Sequence, residues 1–208
     1  MTGNKRSKIG RTIAVAILLT IIALCATTMP VAAYTYNRYA AANYAYNNAY
    51  NDVPGTDVCE SSGGGDCTNF VSHSLQAGGW RETGKYFYWS KYAWYSDWYQ
   101  TPGYSRSWVS ATNLYRFMLY TTRADSVGSA DQMDIGDVFQ IDYGNDGTWD
   151  HSMIVTGKDS RGLLMSYHTP NKRNRPLADV IEDAKAQAKA KNIPIRFAGW
   201  HIKDNYNQ

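Results

Sequence analysis

Residues 136–168, GDVFQIDYGNDGTWDHSMIVTGKDSRGLLMSYH, decide the fold class. From Gly136 to Asp142 apolar and polar residues alternate, the period of a half-buried strand. Asn145-Asp146-Gly147 has turn chemistry. Ser152 to Thr156, around Met153-Ile154-Val155, is short and apolar, as a buried strand requires, and Gly162 to His168 supplies another. Downstream, Asp179 to Lys191 mixes Ala, Lys and acids like a helix, and Ile195 to Ile202 returns as a strand. Upstream the periods are helical. Residues 34–50 repeat Ala and Tyr at helical spacing, Asp66 stands as N-cap before CTNFVSHSLQA, and Gly78-Gly79 ends that helix. Ser110 caps a further helix to about Tyr120, with Leu114, Phe117 and Met118 inward. Helices followed by a mostly antiparallel sheet define an α+β layout.

The chain has 208 residues, 44% hydrophobic and 19% charged. That composition excludes an intrinsically disordered chain, and a single long apolar run excludes a polytopic membrane protein. Lys5, Arg6, Lys8 and Arg11 precede the apolar run from Ile13 to Ala26, and Val31-Ala32-Ala33 offers small residues for cleavage. Residues 1–33 are therefore expected to be a secretory signal peptide, or an N-terminal anchor if uncleaved, with residues 34–208 as one domain. Losing those four of the 21 bases leaves 17 against 18 acids, a net of −1. The basicity belongs to targeting, so no nucleic-acid partner is expected. A secreted or cell-surface monomer, touching membrane only through its N-terminal segment, is the expectation.

Residues 80–108 hold five Trp, six Tyr and one Phe without a steady period. They are expected to form irregular structure that covers a cleft, as core wall or as a stacking surface for sugar or peptide. Trp89, Trp94 and Trp98, with Asp66, are the substrate-binding candidates.

Cys67 follows Gly63-Gly64-Gly65-Asp66 at the first turn of a predicted helix. Helix N–H groups favour an anion, so the position suggests a thiolate of lowered pKa and a source of oxyanion donors. The competing expectation is a Cys59–Cys67 disulfide. His151, opening an apolar strand, is the candidate general base. His168 lies near the end of the next strand and is the candidate third, orienting group, with Asn171 as its competitor. The four His lack close ligand spacing, so no zinc site is expected. Asp142 to Asp150 lacks the bidentate Glu of a calcium loop and fits a tight turn better. No metal and no cofactor is expected.

The segments YNRYAAANYAYNNAY, GGDCTNFVSHSLQAGG, GDVFQIDYGNDGTWDHSMIV and SYHTPN together resemble a secreted bacterial amidase-domain family. That family is grouped with the papain-like cysteine amidases and peptidases, including NlpC-type and CHAP-type cell-wall hydrolases. The resemblance spans about Tyr34 to Ile202. It implies a papain-like fold in which a helix carrying the Cys packs on an antiparallel sheet carrying the His. It implies Cys67 as nucleophile, His151 as base and His168 as the third catalytic residue. The expected activity is hydrolysis of amide bonds, in peptides or peptidoglycan stem peptides. The alternative is a noncatalytic wall- or glycan-binding module that uses the aromatic cleft.

Overall fold

The computed structural model describes residues 33–61, 65–85, 87–96 and 103–207. The expected signal segment and Trp98 lie outside them. In chain order the elements are β1 (Tyr34–Thr35), α1 (Arg38–Asn48), α2 (Thr56–Ser61), α3 (Cys67–Ala77), the single turn α4 (Arg106–Val109), α5 (Ala111–Tyr120), β2 (Ala124–Val127), β3 (Val138–Tyr143), β4 (His151–Asp159), β5 (Gly162–Tyr167), β6 (Lys172–Pro176), α6 (Leu177–Lys191), β7 (Ile195–Ile202) and β8 (Asn205–Tyr206).

The main sheet has the strand order β2-β7-β3-β4-β5-β6, and every neighbouring pair is antiparallel. A two-stranded ladder, β1 with β8, pins the two ends of the described chain together. The α+β layout is therefore as the periods indicate. The turn between β3 and β4 also forms: Asp142 accepts the N–H groups of Asp146 and Gly147, and Gly147 has φ +89°. Two strands escape a pattern-based reading. Lys172–Pro176 carries no apolar alternation, and Ala124–Val127 is four residues long. Both lie at sheet edges, where backbone pairing to one neighbour suffices.

Alternation along the strands sorts the core into two layers. Val138, Ile154, Trp200 and Ile202 face α3 and α5 in one cluster, with Phe70, Val71, Leu75, Leu114 and Phe117. Phe139, Ile141, Met153, Val155, Met165 and Tyr167 face α6 in the other, against Leu177, Val180 and Ala184. Arg38 of α1 ties the first layer to the sheet. Its Nη1 donates to buried Asp137 at 2.7 Å, and Asp137 also accepts His201 Nδ1 and the Ile202 N–H.

Much of the aromatic stretch is core rather than cleft. Trp80, Trp94 and Trp108 are fully buried; Trp80 meets Trp94 edge-on at 5.4 Å, and Trp94 lies tilted against Trp108 at 4.5 Å. Trp94 Nε1 donates to Ser72 and Trp108 Nε1 to Asn69, both on α3. Their polar edges satisfy α3 while their rings bury apolar area. Trp94 is thus a prop for the cysteine helix, which corrects the expectation of a substrate contact.

Candidate active site

Gly65, Asp66 and Cys67 enter α3 under tight constraint. A Cβ at Gly65 would come within 2.5 Å of Thr169 Cγ2, so the chain passes there only as glycine. Cys67 is the first residue of the helix, and its side chain is largely buried. No disulfide joins Cys59 and Cys67, which sets aside the expected disulfide alternative. The backbone of Ser152, the second residue of β4, favours the thiolate form of Cys67. Thr68 Oγ1 lies 3.8 Å from the sulfur and 3.1 Å from Ser152 Oγ. Gln140 Nε2 donates to the same Ser152 hydroxyl, and Trp200 Nε1 donates to Gln140 Oε1. A buried polar chain therefore runs from the sheet centre to the cysteine.

His151 opens β4 directly beside Ser152. It pairs in register with Ile141, so its ring lies on the α6 side of the sheet, opposite to α3. There it meets the Tyr167 ring edge-on at 5.2 Å. Among the described residues its buried Nε2 has no hydrogen-bond partner. Cys67 and His151 nevertheless line one cavity of about 440 Å³ at the strand ends, with Thr68, Trp149, Asp150, Tyr167 and, from α6, Asp183 and Gln187. No direct hydrogen bond joins sulfur and ring among the described residues. Each reaches the cavity from a different layer, and the cavity as a whole has room for an amide group.

The electrostatics differ from the helix-terminus expectation. Burial pushes the Cys67 thiol up, outweighing the bonds from Ser152 and Thr68, and the Asp66 carboxylate adds to the rise. Burial also pulls His151 down to about 4. The resting pair is a neutral thiol and a neutral imidazole, where a low thiol pKa is expected from the helix start alone.

His168 does not orient His151. Its Nδ1 donates to Asp66 Oδ2 at 2.7 Å and its Nε2 to the Asn48 carbonyl at 3.0 Å. Both ring nitrogens face acceptors, so both carry hydrogen and the ring is an imidazolium. Burial opposes that charge, but the bonds to Asp66 and Asn48 outweigh it and His168 is raised. The same balance, burial opposed by bonds from His168, Thr56 and Thr169, leaves Asp66 lowered. The physical reason for the correction is strand parity. His168 continues the Ser166 side of β5; Ser166 pairs with Ile154 and so faces α3. Asn171 is no substitute, since its Oδ1 accepts the Thr169 N–H.

Asp66 is equally reassigned. It is 2% exposed, makes no capping bond to α3, and accepts Thr56 Oγ1 at 2.7 Å and Thr169 Oγ1 at 3.1 Å besides His168. It is a buried anchor, not a surface for substrate. Thr56, Thr68, Ser152 and Thr169 were not legible as site residues. The one local signal was a serine, Ser152, inside an otherwise apolar strand.

Trp89 is 75% exposed and does not border the cavity. Trp89→Ala is expected to leave stability within about 0.5 kcal/mol and to leave turnover on a small amide unchanged. Denaturant melts and initial rates of the variant check this.

Among the described residues no group of three or more His, Cys, Asp or Glu could hold a metal ion.

A family model described as "Putative amidase domain" matches residues 30–191. Two proteins of Bacillus subtilis (strain 168) are similar. YhbB is 30% identical over 183 residues, 83% of this chain and 52% of its own. YjcM is 30% identical over 154 residues, 68% of this chain and 32% of its own. Both carry the description "uncharacterized protein". The chain thus spans about half or less of these relatives' lengths. No solved structure matches. With a matching model that covers most of the chain, including Cys67, His151 and His168, the protein belongs to the family of this amidase domain.

Proposed function

We propose that the chain is a secreted, papain-like cysteine amidase that hydrolyses amide bonds in peptides, with peptidoglycan stem peptides as the substrate class. The observation that carries this reading is the convergence of Cys67 and His151 on one cavity, with Ser152, the residue next to His151, linked to the sulfur through Thr68 Oγ1. The family description supports amide hydrolysis as the reaction class. The basic N-terminal segment followed by an apolar run supports export.

The chemistry starts from a neutral pair. As an amide enters the cavity, the Cys67 proton passes to His151, which is unprotonated above pH about 4. The sulfur bonds the carbonyl carbon, and the first-turn N–H groups of α3 receive the developing oxyanion. The C–N bond breaks as His151 returns the proton to the leaving amine. Water then adds to the thioester, His151 taking its proton, and the acid is released with the thiol restored. Charge is created only at attack, so substrate must bring the reacting atoms together.

Digestion of purified peptidoglycan by the mature domain, read by mass spectrometry, is expected to release stem-peptide fragments. Cys67→Ala protein should release none. Equal fragment yield from both proteins would reject the cysteine mechanism.

A further inference from the structure

Away from the Cys67 cavity, a buried cation has no counter-ion among the described residues. Arg123, 2% exposed, lies between α5 and β2. Its guanidinium carbon sits 4.8 Å from the Tyr206 ring centroid, 5.3 Å from Phe117 and 5.4 Å from Trp80. Nη1 donates to the Arg81 carbonyl at 2.8 Å. Nη2 is buried and has no partner among the described residues, and the same is true of Thr121 Oγ1 two positions earlier. Burial pulls Arg123 down to about 10, which still leaves it charged at neutral pH.

An unpaired buried guanidinium is expensive, and cation–π contacts offset it only in part. Fold stability alone would be better served by an apolar side chain. Both groups with orphaned atoms line a pocket of about 240 Å³, completed by Thr83, Tyr92, Tyr120, Thr122 and Asn207. No acid lines it. Lys91 adds a second positive charge at its rim, with Nζ 3.6 Å from the centroid of Tyr120 and 5.2 Å from that of Tyr92.

We propose that this pocket is a binding site for a small carboxylate, of the size of one amino-acid unit, held by Arg123 and Thr121. A planar carboxylate matches the guanidinium edge and accepts from the hydroxyl at once. Tyr92 and Tyr120 cover the apolar remainder of the ligand. The orphaned atoms are closed to bulk solvent, so the proposed binding requires the pocket wall to be displaced. The site is independent of the amidase reading.

Thermal melting and NMR titration with sodium acetate and N-acetylalanine test it, against sodium chloride at equal ionic strength. The protein used carries a short neutral extension after Gln208, so that a chain-end carboxylate cannot supply the anion. Acetate is expected to raise the melting temperature, by about 5 °C once it exceeds its dissociation constant a hundredfold. It should also shift the amide signals of Thr121 and Arg123. Thr121→Val and Arg123→Lys should each weaken binding about tenfold, and Cys67→Ala should leave it unchanged. Thr121→Val removes no charge and little volume, so it remains informative if the Arg123 variant fails to fold. The proposal is overturned if acetate and chloride act alike on the unsubstituted protein. It is equally overturned if acetate binding persists at full strength in Thr121→Val, or if only phosphate binds.

Discussion

Replacing His151 by alanine is expected to lower amide hydrolysis by about 10²–10⁴-fold, the range of a lost general base, and Cys67→Ser is expected to remove it. The pH profile separates this mechanism from one built on a resting thiolate–imidazolium pair. His151 is held down to about 4 by burial, and the thiol is held up by burial. The acid limb of kcat/KM should therefore fall near pH 4, not near the ordinary imidazole value of 6.5. Activity is present above that limb and lost as His151 protonates. The thiol should alkylate slowly with iodoacetamide at neutral pH and faster as pH rises past the ordinary cysteine range. An acid limb near 6.5 with fast alkylation at pH 6 would contradict the neutral pair.

The Asp66–His168 pair should decide stability. The two groups are 2.7 Å apart and almost fully buried, with exposures of 2% and 1%. Removing one partner of such a pair leaves an unpaired buried charge and costs about 3–5 kcal/mol. Asp66→Ala and His168→Ala should each lower stability on that scale in urea melts. The double variant should be less destabilised than the sum of the two, which a double-mutant cycle measures. The sign of the pH dependence follows from the shifts. His168 is raised, so its contribution is full below the ordinary value of 6.5 and is lost as pH rises through the folded value. Asp66 is lowered, so its contribution is full above 3.8 and is lost as pH falls through the folded value. The pair thus contributes most between these ordinary values. His168→Asn retaining full stability would show that the charge at this position is unimportant. A structural role also predicts that activity of His168→Ala falls with the folded fraction, whereas a group orienting His151 would change kcat in protein that remains folded.

Asp66 and His168 stand 102 residues apart, and neither local pattern announces the other. An Asp before a helix resembles an N-cap, and a His at a strand end resembles a site residue. Both inferences use the right local physics and meet a stronger tertiary partner. The tryptophans repeat the lesson. Their density signals that large aromatic area must be buried, but position in the sequence does not say against what. Trp94 and Trp108 turn inward because α3 offers them Ser72 and Asn69 as hydrogen-bond partners inside an apolar layer, and Trp80 packs edge-on against Trp94, while Trp89 remains in solvent.

The residues alone carry whatever depends on neighbours a few positions away. The period of two in Val138–Tyr143, the apolar run at Met153-Ile154-Val155 and the glycines leading to Cys67 specify strands, a hairpin and a cysteine at a helix start. These features arise from backbone geometry and side-chain alternation, which short-range spacing encodes. The tertiary structure decides the rest. It sets which sheet face each histidine occupies, because one residue of parity separates the α6 layer from the α3 layer. It sets the two pKa directions, because desolvation depends on what the whole fold places over the Cys67 sulfur and the His151 ring. It also leaves Arg123 with aromatic rings and, among the described residues, no acid, since a counter-ion 50 or 100 residues away has no signature in the local sequence.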